Sequence, residues 1–481
     1  MRNRTWLLVV VSLALVVAAC GGGGAGTTTA APTATTQGEA PATTAAPAET
    51  TTSGAPVAET PYEHLNQAYA GDFEGTTVEI VAQWQDAEAD NFNASLQPFR
   101  DATGIDVVFE PTPEYETVLQ ARVDGGDAPD LAQIAQPGKM VQYAEAGQLV
   151  NLSDWFNVDQ LSNDLVGGFV ELGSHNGDLY GVFFKTDVKS IVWYPVQGFA
   201  DAGYAVPTTW DELLALSDQI VADGTSPWCI SIESQAADGW VATDWMEDIL
   251  LRTAPPDIYR QWYAHEIPFN HPEVLEAAEL MRQIWFTPGY AYGGSTYINN
   301  TFIGDTQDPM FDPAGPQCWM QKQAAWIPGF WGANKDAASP DEWPNVPGED
   351  VSFFYLPPIE EEFGNPVLGA GDMIVMFNDR PEVRALLEYL ATPEAARGWI
   401  ERGGFVSPNK TVPVEWYSGY PNPELAALIA DATTFGFDAS DLMPAEVGAG
   451  TFWEGMVEWV AADGEGTETI FEEIESSWPS S

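Results

Sequence analysis

The chain has 481 residues, with 71 Asp and Glu against 17 Lys and Arg, a formal net charge of −54. Such a field repels nucleic acid and anionic headgroups and disfavours multiply charged anionic ligands, although a local pocket can override it. Charged residues are only 18% and apolar ones 45%, so the acidity comes from a shortage of Lys and Arg, not from a disordered polyanion.

Arg2 and Arg4 precede an apolar run from Trp6 to Ala19 that only Ser12 interrupts, the layout of a secretory signal over 1–19. The run is shorter than the about 20 residues a transmembrane helix needs. It ends Val17-Ala18-Ala19-Cys20, which resembles the bacterial lipobox. Cys20 is therefore expected to carry lipid and to start the mature chain on the outer face of the cytoplasmic membrane; an ordinary signal with an incidental cysteine is the alternative. Residues 20–61 are mostly Gly, Thr, Ala, Pro and Ser and read as a disordered tether. Gly21, Gly23 and Gly26 match a dinucleotide-binding spacing, but neither a strand before them nor a helix after them supports it.

From Tyr62 on, roughly 420 residues are globular in character, a length that usually divides into two lobes. Residues 76–84 read as a strand, and 88–103 as a helix with Phe92, Leu96 and Phe99 on one face. A β-rich run at 105–110, a helix over 113–123 closed by Gly125-Gly126, and a short strand at 129–135 complete βαβ units, which imply a parallel sheet. Strands at 182–184 and 190–194 flank Lys185-Thr186-Asp187. Helices follow at 208–223, at 270–285 with Asn270 and Glu273 as a capping box, and at 381–390. Apart from Cys20, the chain has Cys229 and Cys318, an even pair that fits a disulfide in an oxidising compartment, with two buried free thiols as the alternative. Four scattered histidines without Cys–His clusters argue against zinc, and no cofactor motif is present.

Several stretches in this order look familiar: Phe99-Arg100-Asp101-Ala102-Thr103-Gly104-Ile105, Gly126-Asp127-Ala128-Pro129-Asp130-Leu131, Tyr180-Gly181-Val182-Phe183-Phe184-Lys185 and Pro207-Thr208-Thr209-Trp210-Asp211-Glu212-Leu213. With them the chain resembles the family 1 extracellular solute-binding proteins of bacterial ABC importers, from about Thr76 to the C-terminus. Pro227-Trp228-Cys229-Ile230, Thr243-Asp244-Trp245-Met246 and Gly369-Ala370-Gly371-Asp372-Met373 make it most similar to the α-glucoside/maltose-type group. The resemblance implies a two-lobed, type II periplasmic-binding-protein-like α/β fold with three interlobe crossovers. Its N-lobe would comprise 73–188 and 325–404, its C-lobe 189–324 and 405–481, and both candidate bridge cysteines would lie in the C-lobe.

Sugars offer an apolar C–H face that stacks on aromatic rings and a girdle of hydroxyls that seeks charge-assisted hydrogen bonds. A sugar site therefore needs Trp or Tyr beside carboxylate, amide or ammonium groups, and several of the 19 Trp stand next to carboxylates. The candidates are Trp84 and Trp240 as stacking platforms, Asp244, Glu233 and Asp372 as acceptors and Lys185 as donor. Trp245, Glu88, Trp331 and Gln136 complete the set. Each has a plain structural reading beside it: a Trp builds core, Asp244 or Glu88 caps a helix, and Lys185 neutralises neighbouring carboxylates. The expected function is capture of a sugar in the interlobe cleft and delivery to permease subunits, by a monomer touching the membrane only through its lipid. No catalytic motif such as G-x-S-x-G or H-E-x-x-H is present, and a non-enzymatic receptor is expected. A polyamine or peptide receptor and a cell-surface glycoside hydrolase are the alternatives.

Overall fold

The computed structural model describes residues 59–479 except 113, 167, 332–347, 349 and 418–421. The signal segment, Cys20 and all of the tether before residue 59 lie outside the described residues. The first sheet grows from β1 (Thr77–Ala82), with β2 (Asp106–Pro111) and β3 (Leu131–Ile134) parallel to it on either side. The connections are the helices Asp86–Thr103 and Tyr115–Asp124. The first buries Phe92, Leu96 and Phe99 against the sheet and stops at Gly104, whose left-handed φ of 66° lets its N–H reach the Arg100 carbonyl. A short hairpin, β4 (Ser174–His175) and β5 (Asp178–Leu179), leads into β6 (Gly181–Val188), a strand buried along its whole length.

The second sheet holds β7 (Ile191–Pro195), β8 (Ser226–Trp228), β9 (Cys318–Lys322) and β10 (Val351–Tyr355), in the order β10-β7-β9-β8. The chain then returns to the first sheet as β11 (Pro366–Met376), antiparallel to β6 and β3 and parallel to β12 (Thr434–Phe437). The first sheet is thus mixed, not purely parallel, because β6 and β11 are the strands that carry the chain between lobes. It passes three times: from β6 to β7, from β10 to β11, and from β12 to the short helix Ala439–Leu442. One large core, containing Val78, Leu96, Ile374 and Trp399, lies around the first sheet, and another, containing Trp228, Trp245, Met281 and Trp459, around the second.

The lobe boundaries differ from the expected ones in three places. Strand β10 falls within 325–404, expected in the N-lobe, yet pairs with β7 from Val351↔Pro195 to Tyr355↔Ile191 and so belongs to the second sheet. Phe405 and Val412, expected in the C-lobe, pack in the first core, and Thr186 donates from its N–H to the Val406 carbonyl at 2.8 Å. Before residue 73, the helix Glu63–Tyr69 already buries Leu65 and Ala68 in the first core. A smaller difference is helical: Pro272–Phe286 starts on Pro272 with no side-chain cap, so Asn270 forms no capping box. Pro at the first turn gives up an N–H that would lack a partner anyway.

Cys229 and Cys318 are disulfide-bonded with Cα atoms 5.4 Å apart, beside the Cys229 N–H to Met320 carbonyl bond of 2.8 Å. The bridge lies within the second lobe, where it closes a sequence separation of 89 residues. Such a closure contributes about 4–5 kcal/mol in the chain-entropy picture. Among the described residues no helix is long and apolar enough to cross a membrane.

Candidate ligand-binding cleft

A cleft of about 190 Å³ opens where the C-terminal ends of β1 and β3 point toward the second lobe, the position α/β sheets commonly reserve for ligands. Its two walls differ in chemistry. The first-lobe wall is polar, with Gln85, Glu88, Glu116, Gln136, Lys185 and Asp372. The second-lobe side carries an aromatic shelf of Trp240, Trp326, Phe330, Phe302 and Trp453. Within it, ring centroids of Trp240 and Trp326 are 6.0 Å apart, Trp326 and Phe330 5.4 Å, and Phe302 and Phe330 6.3 Å. Two close approaches join the lobes. The Glu114 N–H donates to Gln235 Oε1 at 2.9 Å, and Gly138 lies so close to the Met443 carbonyl that a Cβ there would overlap it.

Strand alternation aims Lys185, Asp187 and Lys189 to one side of extended chain. The buried Lys185 ammonium contacts Asp187 at 2.7 Å, Asp372 at 3.6 Å and Glu88 at 3.7 Å. Asp372 is steadied by Gln133 Nε2, which donates at 2.6 Å, and by Trp84 Nε1 at 3.4 Å. Burial pulls Lys185 down, but Asp187, Asp372 and Glu88 together outweigh it and hold the ammonium above its ordinary value. Burial pushes Glu88 up to about 7 against the pull of Lys185, with Asp187 and Asp372 adding to the rise. Asp372 is raised for the same first reason.

The second cluster fastens the crossing. Lys189 Nζ donates to Asp244 Oδ1 at 2.7 Å and Asp438 Oδ2 at 2.6 Å, and lies 5.2 Å over the Trp240 ring. Asp438 in turn accepts from the Ser440 hydroxyl at 2.8 Å and the Asp441 N–H at 3.1 Å, capping the helix Ala439–Leu442. Glu247 accepts from the Ala439 and Ser440 N–H groups at 2.8 and 3.0 Å. Despite its ion pair, Asp244 is pushed up to about 8, burial being the largest cause. Asp438 moves the other way: burial raises it, but Lys189 and the hydrogen bonds it receives prevail and hold it below the ordinary range. Buried Glu247 and Asp441 both sit well above the usual carboxylate range, through burial first and the Asp438 charge second.

The fold is shared with known proteins. The sequence pattern of the family described as "Bacterial extracellular solute-binding protein" matches residues 76–397. The chain belongs to that family. A curated relative, the osmoprotective compounds-binding protein GgtB of Synechocystis, is 40% identical over 410 residues, covering 85% of this chain and 94% of the relative. The alpha-glucosides-binding periplasmic protein AglE of Rhizobium meliloti is 38% identical over 419 residues, covering 85% and 88%. Among solved structures, the bacterial solute receptor AcbH superposes with a TM-score of 0.71 at 17% identity, over 83% of this chain and 98% of its own, a likeness of fold.

In this solute-binding protein, the structure brings Glu88, Gln136, Lys185, Trp240 and Asp372 into the cleft wall. Trp84 reaches it too, but with 1% exposure and its ring packed on Phe92, Phe184 and Trp399 it is no open stacking platform; only its N–H end serves the site, through Asp372. The remaining candidates lie elsewhere. Trp245 is core, edge-on to Trp228 and Trp285. Trp331 packs against Trp193 and Phe311. Asp244 stands behind the wall as the partner of Lys189, and it neither caps its helix nor lines the cleft, since Trp240–Thr253 begins a full turn earlier. Glu233 accepts from the Gln235 N–H at 3.0 Å and shapes that loop.

Sequence reasoning did not select Trp453, nor Trp326, Phe302 and Phe330, which come from connections without a periodic pattern. It also missed Asp187, Lys189, Asp438 and Asp441. A charged residue at every second position through Lys185, Asp187 and Lys189 was the available signal. Gln85, Glu116, Gln136 and Asp441 line the cleft with side chains that make no hydrogen bond or ion pair to another residue among those described.

Proposed function

We propose that this protein is a lipid-anchored receptor of an ABC importer that closes its two lobes on a neutral polyhydroxylated solute, an α-glucoside-type sugar. The observation that carries the reading is the pairing of unlike walls. Pyranose C–H faces suit the aromatic shelf, and hydroxyls suit the carboxylate, amide and ammonium groups opposite. The unpartnered Gln85, Glu116, Gln136 and Asp441 leave buried or half-buried hydrogen-bonding capacity that a hydroxyl-rich ligand would satisfy. The relatives named for alpha-glucosides and for osmoprotective compounds support a sugar or a similar small polyol. Closure needs no chemistry; the ligand stabilises the closed arrangement by its differential affinity. In this reading Cys20 carries the lipid, and the segment between it and the folded body keeps the receptor near its permease; Thr60 and Pro61, expected in the tether, already bond to Asn66 and Asn157.

One observation favours a second reading. Among the described residues, Glu88, Glu114, Glu116, Asp187, Asp372, Asp438 and Asp441 face the cleft against Lys185 and Lys189 alone, an excess that would attract a cation such as a polyamine. Calorimetric titration of the mature protein with glucosides, small polyols and polyamines separates the two. Saturable one-to-one binding of an α-glucoside is expected, and binding of a polyamine alone would overturn the sugar reading. Mass spectrometry of membrane-extracted protein is expected to find acylated Cys20 at the mature N-terminus; an unmodified, soluble N-terminus would refute the anchor.

A further inference from the structure

The helix Trp240–Thr253 carries four charged side chains that are almost wholly buried: Asp244, Glu247, Asp248 and Arg252, each 3% exposed or less. At 3.6 residues per turn they share one face with Trp240. None of the four lines the cleft, whereas Trp240 does. Buried charge is costly unless it is paired, and here the partners come from the three places where the chain passes between lobes. We propose that this helix face is a clamp that holds all three passages to the second lobe as one body, with Arg252 and Ser190 as positioning residues for ligand capture. The inference rests on the reading of two lobes that close on a solute, and deepens it.

The first passage, from β6 to β7, is held at two successive residues. Lys189 donates to Asp244 at 2.7 Å, and the Ser190 hydroxyl donates to Asp248 Oδ1 at 2.7 Å. Ser190 also reaches the second passage, from β10 to β11. Its hydroxyl oxygen accepts the Leu368 N–H at 2.8 Å, and its carbonyl accepts the Leu356 N–H at 3.0 Å. Arg252 fastens that passage at both ends. Its guanidinium donates to the carbonyls of Leu356 at 3.0 Å, Pro357 at 3.2 Å and Pro366 at 3.3 Å, and also binds Asp248 one turn earlier. With prolines at 357, 358 and 366 this connection has few N–H groups of its own, and the five-donor fork of an arginine supplies what its carbonyls lack. The third passage ends on Glu247, which accepts from the Ala439 and Ser440 N–H groups. Asp438, on the same passage, is tied to Asp244 through the Lys189 they share.

The passages stand next to one another. Val188 of β6 and Phe437 of β12 flank Gly369 of β11 in register, and the chain neighbours Lys189, Leu368 and Asp438 are the residues just described. One helix of 14 residues, about 21 Å long, can therefore reach all three. With the passages fixed on one body, the lobes close along one path. Loosened passages would have to be ordered again each time a solute binds, which weakens binding without removing any ligand contact.

The test compares Arg252→Lys and Ser190→Ala with Ile220→Ala, a cavity in the second core on the helix Trp210–Asp223, outside both clamp and cleft. Hydrogen exchange of the ligand-free protein is followed by mass spectrometry over 186–192, 354–369 and 437–441. Arg252→Lys, whose ammonium cannot reproduce the fork, is expected to exchange roughly tenfold faster in all three segments. Ser190→Ala should do so in the first two, and Ile220→Ala in none beyond what its loss of stability imposes everywhere. Calorimetry is expected to show roughly tenfold weaker α-glucoside binding in Arg252→Lys, a smaller loss in Ser190→Ala and native affinity in Ile220→Ala. Faster exchange confined to 354–369 in Arg252→Lys overturns the single clamp. Native affinity in both clamp variants, or an equal loss in Ile220→Ala, overturns the positioning role. If no glucoside binds the native protein, the sugar reading falls, while the exchange pattern still decides whether the three passages are held as one.

Discussion

Lys185 and Lys189 lie four residues apart on one extended stretch, both buried and both paired with carboxylates, yet they tie down different lobes. Lys185 meets Asp187 on its own strand, Asp372 on β11 and Glu88 on a first-lobe helix. All three carboxylates face the cleft. Lys189 meets Asp244 of the second-lobe helix Trp240–Thr253 and Asp438 at the last passage between lobes. Only part of its cluster faces the cleft, since Asp244 and Glu247 lie behind. The same side chain therefore has two jobs, decided by which partners the fold brings to it. In the proposed function one presents charge to a ligand, and the other cancels charge where the chain changes lobes.

The largest effect that could break this contrast is on stability. Lys189→Met leaves Asp244 and Asp438 facing each other with their cation gone, and Glu247 and Asp441 close by. Removing one side of a buried pair costs about 3–5 kcal/mol. Urea unfolding followed by Trp fluorescence is expected to show a loss of that size. Lys185→Met should cost less stability, because Glu88 and Asp372 face the cleft, where water or protonation can relieve them. It should instead lower ligand affinity by about 100-fold, the about 3 kcal/mol expected for a lost charge-assisted hydrogen bond. If the two variants lose stability and affinity in equal measure, the division of labour is wrong. Trp240→Ala is expected to fall between, since the ring both lines the cleft and lies under Lys189. A drop of roughly tenfold in affinity, equal to about 1.4 kcal/mol, with a smaller drop in stability, is the expected calorimetric and urea result.

The two lysines also explain how much could be read from the sequence. Sequence pattern gave β1, the helix expected at 88–103 and the 381–390 helix, because the helices bury regular stripes such as Phe92, Leu96 and Phe99 or Val383, Leu386 and Leu387. Sugar-site chemistry gave Lys185, but Lys185-Thr186-Asp187 reads as a break between two short strands. The structure runs β6 straight through them, since their charges are neutralised within the core. Tryptophans beside carboxylates were a poorer guide, because adjacency in sequence does not fix the face of a helix. Trp240 and Trp245 differ by five positions, or about 140° around a helix of 3.6 residues per turn. The first meets the cleft and the second the core. Trp326, Phe302, Phe330 and Trp453 converge from distant connections, and only the tertiary fold brings them together. The β10 strand escaped because its pairing with β7 is non-local, across more than a hundred intervening residues.

The smallest expected effect, and the sharpest test of the contrast, is on pH dependence. Glu88, facing Lys185, Asp187 and Asp372, moves from 4.5 to about 7, and Asp244, facing Lys189, Asp438 and Lys322, from 3.8 to about 8. Between the unfolded and folded values the native state holds protons that the unfolded chain has released, so both groups make stability fall as pH rises through those windows. Asp438, held low, acts in the opposite sense: its contribution is present above the ordinary aspartate value and is lost in strong acid. Asp244→Asn should therefore flatten the decline in urea-measured stability between about pH 4 and 8, and leave the pH profile of ligand affinity nearly unchanged. Glu88→Gln should flatten the affinity profile around pH 7, because that carboxyl titrates in the cleft itself, with a lesser effect on stability. A matching shift in both profiles from both variants would mean that the clusters on either side of the cleft titrate as one unit, and that the two lysines are not separate devices.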